Sequence, residues 1–169
     1  MPIVLIAHSG AGALVPLVAE RLGGNVGAIF VDALLPYPGR SWFDTAPDAL
    51  KQRLNGLAVD GRLPPWPSWW PRGAIAKMLG DPALAESFEA ECAALPIAYF
   101  NEIAPISRAM EPLHCGYLQL SGGYAEEVAT ATADGWPVRT LALNHLAMLT
   151  HADAVIAVLD ELIASIDIR

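Results

Sequence analysis

Apolar residues run unbroken from Pro2 to Ala7, give way to His8-Ser9-Gly10, and return at Leu14, Leu17, Val18 and Leu22 with the spacing of one helix face. The pattern predicts a strand over residues 3–7, a sharp turn carrying Ser9, and a helix over 11–22 stopped by Gly23-Gly24-Asn25. Val26 to Val31 is a second apolar run, of the kind buried on both faces of a parallel sheet, with Asp32 at its carboxyl end. Strand, helix and strand joined by short turns make a βαβ unit.

From Leu34 to about Pro71 the texture changes. Pro36-Tyr-Pro-Gly39, Ser41-Trp-Phe43 and Leu63-Pro-Pro-Trp-Pro-Ser-Trp-Trp-Pro71 are rich in proline and tryptophan, with a short helix expected near Ala46 to Asn55 and a second helical region near Pro82 to Ala94. We read residues from about 34 to 112 as an insertion between sheet strands. Regular alternation then resumes: a strand over Gly116 to Leu120, a helix over Tyr124 to Ala133, a turn at Asp134-Gly135-Trp136-Pro137, and a strand over Val138 to Leu143. Asn144-His145-Leu146 leads into a final helix, Ala152 to Ser165, whose apolar face holds Val155, Ile156, Leu159, Leu162 and Ile163. The expected class is α/β: a short, mostly parallel open sheet flanked by helices, in a single domain over residues 1–169 with a Pro/Trp-rich helical insertion.

Composition narrows the functional classes. Of 169 residues, 54% are hydrophobic and 17% charged, so the interior is large or apolar surface is covered by a partner. A formal charge of -8, with ten Lys and Arg, argues against nucleic acid or an anionic membrane as the main ligand. Small or neutral substrates fit better. Cys92 and Cys115 are too few and too unpatterned for a disulfide framework or a zinc site, which suits a reducing cytoplasm. The amino terminus lacks the basic region of a signal peptide, and no stretch reaches the roughly 20 apolar residues of a membrane helix.

The segment Ala7-His8-Ser9-Gly10-Ala11 resembles the nucleophile elbow of the α/β-hydrolases, usually written Gly-x-Ser-x-Gly, with both outer glycines replaced by alanine. Such a turn lifts the Ser9 hydroxyl clear of the sheet and aims the first helix N–H groups, Gly10 foremost, at an oxyanion. In that family the histidine lies between the last strand and the last helix, the place His145 occupies here. The usual acid follows the preceding strand, but Ser121-Gly-Gly-Tyr124 offers no carboxylate before Glu126. A variant of the family carries the acid one strand earlier, which points to Asp32, with Glu126 in reserve.

Each of these residues also has an ordinary structural use: Ser9 as a helix cap, His145 as a loop residue with one hydrogen bond, Asp32 as the start of a turn. His8, one residue along the strand from Ser9, is expected to support the elbow rather than act as the base. His114 and His151 have no metal-site spacing with any carboxylate.

The resemblance implies a serine hydrolase cleaving a carboxylic ester or thioester, with Ser9 as nucleophile, His145 as base and Asp32 as acid, and with no metal or organic cofactor. Trp42, Trp66, Trp69 and Trp70 would bind the apolar group from a cap, or else tie a long loop to the domain. A lyase or cyclase on the same scaffold and a non-catalytic binding subunit are the rivals. The chain starts on the Ser-bearing strand, whereas full-length members have four strands before it, including its neighbour and the loop that supplies a second oxyanion donor. Ile3 to Ile6 would then be an uncovered edge, so we expect a homodimer through the first strand, a partner chain, or a sequence that begins late.

Overall fold

The structure, a computed structural model, describes residues 2–107 and 113–168. In chain order it forms β1 (Ile3–Ser9), α1 (Val15–Leu22), β2 (Val26–Ala33), α2 (Trp42–Thr45), α3 (Asp48–Leu57), β3 (Arg62–Leu63), α4 (Ala74–Leu79), α5 (Pro82–Glu91), β4 (Leu95–Pro96), β5 (His114–Gln119), α6 (Ala125–Ala133), β6 (Val138–Thr140), α7 (Ala147–Thr150) and α8 (Ala152–Ser165). Two compact units result, Met1–Pro36 with Pro105–Arg169, and Tyr37–Ala104. The second unit falls inside the expected insertion; the expected end near 112 lies outside the described residues.

In the first unit the strands lie in the order β1-β2-β5-β6, all parallel. β2 is buried at all eight positions, as its unbroken apolar run requires of a strand covered on both faces. Its residues alternate between two cores. Ala28 and Phe30 pack with Val15, Tyr117 and Ala131, and so against α1 and α6; Ile29 and Val31 pack with Leu118, Val155 and Leu162, and so against α8. Fully burying a side chain such as Leu162 stabilises the layer by about 1.5–3 kcal/mol. Ile156, which helical spacing assigns to that face, instead stands 54% exposed. Val158 takes part in the contact.

Two local departures from the expected elements matter for the site. Residues 10–14 form a 3₁₀ turn, and α1 begins at Val15 rather than residue 11. Pro16 explains the boundary: without an N–H it cannot donate back to Gly12, but it is tolerated in a first helical turn. β6 ends at Thr140 rather than Leu143, although the chain stays against its neighbour a little further: the Leu141 N–H donates to the Gln119 carbonyl at 2.9 Å, and the Leu143 N–H is shared between the Leu120 carbonyl at 3.2 Å and the Leu141 carbonyl at 2.7 Å. That local turn at Leu141–Leu143 breaks the regular strand before His145.

The second unit has a core of its own. Phe43, Leu54, Leu63, Trp69 and Phe100 are buried together, with Trp42 and Trp66 packed against them. α2 starts with a capping box in which Ser41 and Asp44 bond reciprocally. α3 starts at Asp48, two residues later than expected, since a residue preceding proline disfavours helix and Pro47 supplies the cap position. α4, absent from the expected elements, is six residues long and bracketed by Gly73 and Gly80, both left-handed.

Candidate active site

The turn after β1 is strained where it carries its serine. Ser9 sits at φ 57°, ψ -131°, a conformation that costs an ordinary residue about 1–3 kcal/mol and persists when its surroundings over-determine it. The surroundings do so through Gly12. A Cβ there would lie 2.0 Å from the Leu34 carbonyl oxygen, so only glycine lets the turn rest on the end of β2. At Gly10 a Cβ would meet nothing within 4 Å. The steric demand for glycine therefore falls at position 12 and not at position 10.

The strand beside it is irregular at the same level. His8 pairs with Val31 but Ser9 with Ala33, leaving Asp32 as the extra residue of a bulge at φ 42°. Tyr117 secures the chain just beyond: the Ala33 N–H donates to its Oη at 3.0 Å, and that hydroxyl donates to the Ala33 carbonyl at 2.7 Å. The bulge holds the Asp32 side chain wholly out of solvent, where it accepts from Leu120 N–H at 3.0 Å, Ser121 N–H at 2.9 Å and Ser121 Oγ at 2.7 Å. Burial pushes its carboxyl up, yet the bonds from His145, Ser121 and Leu120 together outweigh burial and hold it below the usual carboxylate range.

The loop after β6 brings His145 to this carboxylate and to the serine. Asp32 Oδ2 lies 2.7 Å from His145 Nδ1, and His145 Nε2 lies 3.0 Å from Ser9 Oγ. An ionised carboxylate only accepts, so Nδ1 carries the proton, Nε2 presents a lone pair, and the Ser9 hydroxyl donates to it. Glu126, the reserve acid, is exposed in the first turn of α6; Asp32 holds the imidazole.

Two aromatic rings flank the imidazole. His8 packs 4.4 Å from His145, centroid to centroid, and its Nε2–H donates to the His145 carbonyl at 2.9 Å. Burial and the neighbouring His145 lower the His8 pKa to about 4, so it is neutral near pH 7. On β1 it braces the loop that holds His145. Tyr124 stacks on His145 at 5.4 Å and 18°, with its Oη 3.2 Å from Ser9 Oγ.

Ser121 and Tyr124 escaped the sequence reading. The signal was there in Ser121-Gly-Gly-Tyr124, a polar tetrapeptide at the carboxyl end of a parallel strand, where open α/β sheets gather their ligands.

Of the four tryptophans expected at substrate, Trp69 is buried in the second unit, its indole N–H donating to the Pro64 carbonyl at 2.8 Å, and Trp42 packs edge-on against Phe100. Trp66 meets Trp70 and Phe88 edge-on. Trp70 lines a pocket of about 310 Å³ with Pro67, Pro71 and Ile75. These contacts account for Trp42 and Trp69 as core residues of their own unit. Among the described residues no group of three or more His, Cys, Asp or Glu could hold a metal ion, and no helix is long and apolar enough to cross a membrane.

The fold is that of the α/β-hydrolases. An extracellular α/β-hydrolase from a Paenibacillus species, described as sharing structural and functional homology with tobacco salicylic acid binding protein 2, superposes with a TM-score of 0.75. The match covers 94% of this chain and 71% of that one at 15% sequence identity, a likeness of fold. No family model matches the chain, and no curated protein matches it.

Proposed function

We propose that the chain is a serine hydrolase cleaving a carboxylic ester or thioester that carries an apolar group. The observation that carries this reading is the unbroken hydrogen-bonded path from Ser9 Oγ through His145 to the buried Asp32 carboxylate, 3.0 and 2.7 Å long. Ser9 Oγ attacks the carbonyl carbon while His145 Nε2 takes its proton, and Asp32 stabilises the imidazolium. The proton passes to the departing alcohol or thiol, and a water activated by the same nitrogen releases the acid. Gly10 N–H, first in the 3₁₀ turn after Ser9, is the backbone donor proposed for the oxyanion. Of the four tryptophans the resemblance offers for the apolar group, Trp42 and Trp69 serve the core of their own unit, and Trp70→Ala with KM for long-acyl esters tests the remaining pair, Trp66 and Trp70. The unpaired thiols of Cys92 and Cys115 support a cytoplasmic setting.

Ser9→Ala should abolish turnover of short p-nitrophenyl esters while leaving the circular dichroism spectrum unchanged; undiminished turnover overturns the assignment. Fluorophosphonate labelling of Ser9 without ester turnover would move the reaction to a lyase or cyclase on the same scaffold. No labelling at all would favour a binding subunit.

The reading extends to assembly. Among the described residues β1 pairs on one side only, with Ile3 and Ile6 37% and 53% exposed, and Leu14, Val18 and Leu22 form an exposed apolar stripe along the α1 segment. Natural proteins cover such edges, and two copies joined through β1 are the simplest closed form. Sedimentation equilibrium should give a dimer; a stable monomer removes this proposal.

A further inference from the structure

Counting protons around Ser9 assigns a direction to the bond that geometry leaves open. The Ser9 hydroxyl has one hydrogen, directed to His145 Nε2 because Nδ1 keeps its own for Asp32. The 3.2 Å contact between Ser9 Oγ and Tyr124 Oη therefore has Tyr124 as donor. A phenolic O–H is thus aimed at the reacting oxygen before substrate arrives. Burial raises the Tyr124 pKa above its ordinary value, so the group stays protonated through the neutral range. The ring is held by its stack on His145 and by packing against the core cluster that contains Phe30 and Tyr117.

We infer that the Tyr124 hydroxyl is a catalytic hydrogen-bond donor to the substrate's carbonyl oxygen as it becomes an oxyanion. The inference rests on the hydrolase reading of Ser9, His145 and Asp32. During attack the Ser9 Oγ–C bond forms, the carbonyl π pair moves onto its oxygen, and the Oγ proton goes to His145 Nε2. Oγ is now an ester-type oxygen and a poor acceptor. The new oxyanion is two bonds from Oγ, within the sweep of a hydroxyl that starts 3.2 Å from it. Tyr124 keeps its proton and transfers its hydrogen bond to the stronger acceptor, adding a side-chain donor to the Gly10 amide. Because that bond is strongest in the tetrahedral state, it raises kcat rather than tightening ground-state binding.

Tyr124→Phe keeps the stack on His145 and removes only the oxygen, so it isolates this role. On p-nitrophenyl and phenyl esters of one short acid, kcat should fall on the order of a hundredfold, equally for both leaving groups, with KM within about twofold. Affinity for an alkylboronic acid, whose tetrahedral adduct on Ser9 places an oxygen at the oxyanion position, should fall by a comparable factor, and the melting temperature should hold. Unchanged kcat and boronate affinity overturn the inference, as does a loss confined to KM. A loss that grows with leaving-group basicity also overturns it, since it assigns Tyr124 to the departing oxygen. Fluorophosphonate labelling separates the two levels: wild type and variant labelling Ser9 at the same rate remove only this inference, whereas a wild type that does not label removes the hydrolase reading as well.

Discussion

Replacing Asp32 by asparagine isolates the charge at the base of the site while keeping its shape. In the native chain Oδ1 accepts from Leu120 N–H and Ser121 N–H, while Oδ2 accepts from Ser121 Oγ and His145 Nδ1. The amide of Asp32→Asn can reproduce the Oδ1 pair, but its NH2 group then faces two donors. Ser121 can adapt by turning its hydroxyl, although its Oγ already accepts from Gly123 N–H at 3.2 Å. His145 can adapt only by shifting its proton to Nε2, leaving Nδ1 to accept. An Nε2 that carries a proton cannot take one from Ser9. The same exchange in a well-studied serine protease costs about ten-thousandfold in kcat, and we expect a loss of that order here.

Stability should fall less. Charge-assisted bonds to a wholly buried side chain are replaced by neutral ones, for a loss of about 1–3 kcal/mol at pH 7. The sign with pH follows from the depressed carboxyl. Asp32 contributes stability above the ordinary carboxylate pKa and loses it as pH falls through the lower folded value, so the gap between wild type and variant should close in acid. Ester turnover and urea unfolding measure the two effects, and nitrogen-15 NMR of His145 reads which nitrogen holds the proton. An Asp32→Asn enzyme within tenfold of wild type, or one whose His145 keeps its proton on Nδ1, refutes the reasoning.

Gly12→Ala should destabilise the first unit by about 1–3 kcal/mol or more and abolish Ser9 labelling, because its Cβ is driven into the Leu34 carbonyl; Gly10→Ala should leave urea stability within about 0.5 kcal/mol. A Gly12→Ala variant as stable as wild type contradicts the close approach. Half-buried and neutral, His8 should make stability fall between pH 6.5 and pH 4, since the unfolded chain takes up a proton there first, with a total on the order of 1–3 kcal/mol. His8→Gln should flatten that limb of the urea-midpoint profile, and a wild-type profile already flat from pH 7 to 4.5 speaks against it.

Much of this protein was legible from its sequence because the signals are local. An unbroken apolar run of buried length makes β2, small residues around Ser9 make a sharp turn, and regular spacing from Ala152 makes α8. The chain order serine, aspartate, histidine, each at or after the end of a sheet strand, was visible as well. The sequence already preferred Asp32 to Glu126, but the one-residue bulge between β1 and β2 that seats Asp32 beside His145 is a property of two paired strands, visible only in the tertiary structure. That structure alone could shift the demand for glycine to position 12, where the other party is a carbonyl at Leu34. Tyr124 belongs to the same class: its hydroxyl meets Ser9 across 115 residues of chain, and nothing in either local stretch encodes the meeting. Short-range periodicity determines which segments are strands and helices, whereas contacts between distant segments, set by how sheet and helices pack, decide which polar atoms share one small volume.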